Sequence, residues 1–167
     1  MFARSLALAA GAALLIGAAP VQDAQIRSAL ECKLPRAQML AAMKRFPVRK
    51  VDDASEAPDR RIITIYTSPA NVIAYGFPAT LTGSADILSS EDERVLLMGN
   101  IKAPYADVLR AVLAAHGRAK CDATDVDDDG QLCGLSFAPN GEWEASIAIK
   151  EYPDTIGISC AYSRASQ

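Results

Sequence analysis

Histidine and tryptophan each occur once in this chain of 167 residues, as His116 and Trp143. Zinc sites draw on several His/Cys ligands, and a Ser-His-Asp or Cys-His site needs a nucleophile delivered to a histidine. With one histidine and no G-x-S-x-G elbow, neither chemistry has a full set of residues. The chain also has no C-x-x-C redox pair, no glycine-rich phosphate loop and no N-x-S/T glycosylation site. Lysine and arginine nowhere cluster, and the formal charge is −3. Nucleic acids and anionic membranes both reward clustered cations, so neither is expected as a partner. Beyond residue 20 no apolar run approaches the roughly 20 residues that span a bilayer.

What is present begins with MFARSLALAAGAALLIGAAP. Arg4 supplies a short positive region, Leu6–Ala19 is apolar and small residues follow, which is the pattern of a cleaved secretory signal. The signal is expected over residues 1–24, with cleavage after Ala19 or after Ala24; Pro20 sits awkwardly for the first. A periplasmic or extracellular location follows. Residues 25–167 then form one disulfide-bonded domain, long enough to bury a real core.

The four cysteines, Cys32, Cys121, Cys133 and Cys160, all lie in that domain, and an even number in an exported chain favours two disulfides. An internal repeat bears on the pairing. CKLPRAQMLAAMKRFP (32–47) resembles IKAPYADVLRAVLAAHG (101–117), with Pro35 on Pro104 and Leu40 on Leu109 at a shift of 69. At a shift of 70, Lys50-Val51-Asp52 falls on Lys120-Cys121-Asp122, and Ile65 on Leu135. Repeat units of about 26–88 and 94–163 result.

Each unit reads as strand, helix, then four strands. Alternation over 26–33 predicts the first strand, and its counterpart is the apolar run 94–102. Pro35 and Pro104 open helices with apolar stripes Met39/Leu40/Met43 and Val108/Leu109/Val112/Leu113. Strands are expected near 48–52, 61–67, 72–76 and 80–87, and again near 118–122, 132–138, 142–150 and 155–162. Hairpin turns are marked by Pro139-Asn140-Gly141 and Tyr152-Pro153-Asp154, while SSEDE (89–93) joins the units. The expected fold class is α+β: two tandem β-α-β-β-β-β repeats sharing antiparallel sheet, with the helices on one face.

In that frame Cys121 takes the place of Val51 and Cys133 that of Ile63, a cross-strand pair, so Cys121–Cys133 is the preferred bridge and Cys32–Cys160 the other. Cys121 and Cys133 bracket DATDVDDDGQ, whose Asp125, Asp127, Asp129 and Gly130 match the opening of a calcium loop. The closing acidic ligand fails, because the twelfth position is Ser136. A solvated acidic loop is the leading reading, with weak calcium binding through Asp125, Asp127 and Asp129 as the alternative. No other cofactor is implied.

Glu142 and Glu144 are the carboxylates that an acid/base hydrolase could use, but nothing apolar surrounds them. His116 is read as a helix-end imidazole capped by Gly117, and Trp143 as core continuing the stripe Ala145, Ile147, Ile149. Ile63, Ile65, Cys133, Leu135 and Phe137 are expected to face the helices; Ile62, Thr64, Tyr66, Leu132 and Ser136 face the other side. With no catalytic set, the expected function is an exported, non-enzymatic binding, inhibitory or envelope-accessory domain of unknown partner, with a protein as the candidate. A weak calcium module and a carboxylate-only hydrolase are the alternatives.

Overall fold

The computed structural model describes residues 20–54, 61–66, 71–88, 93–128, 130–140 and 142–164. Residues 1–19, which carry most of the expected signal, lie outside them, as does 89–92 of the SSEDE segment. Among the described residues no helix is long and apolar enough to cross a membrane.

Three short helices, α1 (Pro20–Leu30), α2 (Arg36–Met43) and α3 (Tyr105–Ala115), accompany nine strands. These are β1 (Val48–Ala54), β2 (Arg61–Tyr66), β3 (Asn71–Ala74), β4 (Phe77–Leu88), β5 (Glu93–Ile101), β6 (Ala123–Asp127), β7 (Gly130–Asn140), β8 (Trp143–Tyr152) and β9 (Thr155–Arg164). They form one antiparallel sheet in the order β1-β2-β4-β5-β9-β8-β7-β6, with β3 also paired to β4. The mixed helix-and-strand class and the antiparallel sheet agree with the sequence reading.

The segment 26–33, expected as a strand, is helical to Leu30. Ile26, Ala29 and Leu30, three and four apart, are all buried. Helical spacing places them on one face, and that burial overrides the Ile26/Ser28/Leu30/Cys32 alternation. The strand expected at 118–122 is a link instead. Gly117, at φ +62, ends α3; the Arg118 N–H bonds to Leu113 O and the Gly117 N–H to Ala114 O. This is the Schellman arrangement, and the edge strand β6 starts only at Ala123. The first half of the sheet also departs from the second. β2 and β3 lie end to end along one edge of β4, whereas β7 and β8 form a hairpin.

The core lies between the helices and one face of the sheet. Tyr66, Ser84, Leu97, Cys160, Ile147 and Leu135 form a buried row across six strands. Met39 and Met43 of α2, Leu30 of α1, and Val108 and Val112 of α3 are fully buried too. Met39 Sδ lies 3.9 Å from Cys160 Sγ, and Leu30 lies over Gly99. In β2 the expected facing is reversed. Tyr66 is buried and Ile65 belongs to the other face, because Tyr66 pairs with Ser84 and a bulge in β4 between Leu81 and Gly83 shifts the alternation. The shift of 70 that sets Ile65 on Leu135 therefore joins residues on opposite faces. In β7, Cys133, Leu135 and Phe137 face the helices.

Candidate functional site

All three helices sit on one side of the sheet. Leu30 of α1 covers Gly99, Met39 of α2 touches Cys160, and the His116 ring at the end of α3 lies 5.0 Å from that of Phe137. No described helix covers the opposite face. Its rows are read off the strand register: Gly134–Ala148–Ser159–Met98–Gly83, and beside it Ser136–Ser146–Ala161–Leu96–Ala85–Ile65. Small side chains predominate on this face across β7, β8 and β9, and Met98 stands exposed near its centre.

Next to Met98 is a hollow of about 530 Å³ with Ala148, Gly157 and Ser159 among its lining and Leu132, Lys150 and Tyr152 around it. Gly157 permits it: a Cβ there would stand 2.7 Å from Tyr152 Cε2, so a larger residue would lift the tyrosine ring. On the other side of Met98, a Cβ at Gly83 would stand 3.2 Å from the Met98 methyl. Lys150 also reaches Gly130 O at 3.5 Å, which ties the rim to the β6–β7 turn.

Asp125 and Asp127 lie on β6 at the sheet edge, and Asp129 falls outside the described residues. Asp125 pairs in register with Leu132, and its Oδ1 accepts the Val126 N–H at 2.9 Å. The stretch is a hairpin closed by Asp127 opposite Gly130. Gly130 holds φ +137, and a Cβ there would stand 2.8 Å from Glu151 O. No group of three or more metal-ligating side chains occurs among the described residues. The cysteines are joined as Cys32–Cys160 and Cys121–Cys133, with Cα separations of 5.4 and 5.5 Å. Glu142 is exposed and lies 3.8 Å from Arg164 Nη2, while Glu144 is on β8 opposite Ser163.

Sequence reasoning missed a polar cluster on the helix side. Glu31, between α1 and α2, is 1% exposed. Its Oε1 accepts from Arg27 Nε at 3.0 Å and from the Tyr75 N–H at 2.8 Å, and its Oε2 from Lys33 Nζ at 2.6 Å. Burial alone would raise its pKa, but the bonds from Lys33, Tyr75 and Arg27 prevail and hold it below the usual carboxylate value. Tyr75 and Gly76 form the two-residue β3–β4 turn, with φ of +52 and +87. A tyrosine seldom adopts that conformation, and here both its ends are held: the N–H by Glu31 and the hydroxyl by His116 Nε2 at 3.1 Å. Burial pushes the tyrosine pKa well up, so its O–H stays protonated.

His116 is the C-cap residue of α3, a helix end that favours an imidazolium. Its pKa is lowered instead, first by burial and then by the charge of Lys33, against the opposing pull of Glu31. The direction of its hydrogen bond with the Tyr75 hydroxyl follows the tautomer of the ring. Residues 31, 75 and 116 are far apart in the chain, and the one local signal is an acid flanked by Leu30 and Cys32. The cluster clamps α1, the β3–β4 turn and α3 together.

Comparison of the chain with protein-family models, curated proteins and solved structures finds no match.

Proposed function

We propose that this chain is an exported, non-enzymatic domain that binds a protein partner through the open face of its sheet, as an inhibitor or accessory of the cell envelope. The carrying observation is that face, which no described helix covers, with Met98 raised beside the Gly157 hollow. Eight strands at about 4.8 Å spacing make it roughly 35 Å wide, the scale of a partner surface of about 800 Å². Two disulfides support a periplasmic or extracellular location. The repeated order of one helix and four strands, α2 with β1–β4 and α3 with β6–β9, supports an origin by duplication.

Methionine footprinting tests this reading. Met39 and Met43 are fully buried, so Met98 is the described methionine open to mild peroxide. The expected result is that Met98 oxidises readily in the purified protein and is protected in the intact cell envelope. Equal oxidation in both settings contradicts a covered face.

A further inference from the structure

The sheet ends in β1 on one side and β6 on the other, and among the described strands each has a single partner. An edge strand carries a row of unpaired N–H and C=O groups that a further strand can take up, and charged side chains are one means of preventing it. The two edges of this sheet arrange their charges differently.

Two copies that join edge to edge as one antiparallel sheet are related by a twofold axis perpendicular to the sheet. Residues alternate between faces along a strand, and residues directly opposite share a face. The axis therefore passes through a residue, and only positions an even number apart can meet. On β6, ATDVD, an axis through Asp125 sets that acid against itself, and one through Val126 sets it against Asp127. Like charges directly opposite are destabilising. That edge rejects its own copy.

β1 reads VRKVDDA. An axis through Lys50 or through Asp52 again sets a charge against itself. An axis through Val51 does the reverse: Lys50 stands opposite Asp52 and Arg49 opposite Asp53, each twice by symmetry, while Val51 meets Val51. The bulge of β1 falls between Val48 and Lys50, so Lys50, Val51 and Asp52 sit within the regular run that pairs with β2. Val48 is 54% exposed. Arg49 is exposed too and, among the described residues, engaged in no ion pair.

We propose that β1 joins two copies of this chain as a twofold dimer, with one sheet running through both. The axis keeps the two open faces on the same side, so the dimer presents Met98 twice to a partner. The pairing itself does not depend on that face having one. A strand of seven residues makes a small interface, so the dimer is weak, with a dissociation constant of about 100 μM.

Sedimentation equilibrium of the purified protein from about 10 μM to about 1 mM tests this. Reversible monomer–dimer exchange is expected, at least about tenfold weaker in about 1 M salt. Lys50→Glu sets acid against acid and Asp52→Lys sets base against base, so each variant alone stays monomeric. Mixed one to one, the two variants place opposite charges at both positions, and a heterodimer forms at least about tenfold tighter than either variant with itself. That rescue separates a lost contact from a lost fold. A wild type that stays monomeric throughout, single variants that dimerise as the wild type does, or a mixture that stays monomeric overturns the proposal. So does open-ended polymer, the product of a head-to-tail contact between β1 and β6.

Discussion

The carboxylate of Glu31 accepts the backbone N–H of Tyr75 at 2.8 Å, so a buried acid at the end of α1 holds the turn between β3 and β4. Arg27 and Lys33, its other partners, are each about half exposed and can relax into water when the acid is lost. The Tyr75 N–H cannot. Glu31→Ala is therefore expected to cost about 2 kcal/mol, the scale of a buried donor left unpaired. Glu31→Gln keeps an acceptor and should cost less. Urea unfolding of both variants measures this, and equal losses would show that the N–H contact contributes nothing.

Acid should destabilise the protein in two stages. His116, lowered from 6.5, binds its proton more tightly in the unfolded chain, and so does Glu31, lowered from 4.5. The contribution of each is complete above its unfolded value and is lost as pH falls through its folded one. Burial together with Lys33 and Arg118 opposes the His116 proton, whereas Glu31 favours it. Stability is expected to begin falling below pH 6.5, and His116→Gln to remove that first decline while leaving the one below 4.5. Urea midpoints measured from pH 8 to pH 4 check it.

The two disulfides should differ in weight. Cys32–Cys160 closes a separation of 128 residues and Cys121–Cys133 one of 12. Chain entropy assigns them about 5 and about 3 kcal/mol respectively. Paired serine substitutions at 32/160 should lower the melting temperature more than those at 121/133. The opposite order would show that local packing near β6 outweighs loop closure.

Calcium is expected to leave the melt unmoved. A site with a dissociation constant near 10 μM would add about 2.7 kcal/mol at 1 mM calcium. Asp125 already accepts a local backbone N–H on an edge strand. A calcium-dependent rise that Asp125→Asn abolishes would make the hairpin a metal site.

Most strands were legible because alternation and turn residues mark them, as the Tyr152–Thr155 hairpin and the β5 run do. α1 was not, since Ile26, Ser28, Leu30 and Cys32 also alternate, and the repeat set them against β5. β6 was displaced because its exposed residues 123–126 read as loop; an edge strand with few apolar side chains carries no periodic signal. The facing of β2 depends on a bulge in β4, a backbone event that residue types do not announce. The Glu31–Tyr75–His116 clamp and the Arg36–Trp143 stack each join distant segments. Nothing local specifies them.

The central claim is that the open face of the sheet meets a protein. A photo-crosslinking residue placed at Met98, on that face, and separately at exposed Gln38, on α2, tests it in intact cells. A discrete adduct of higher mass from position 98, and none from 38, is the predicted result. No adduct from 98, or the same pattern from both positions, would contradict it.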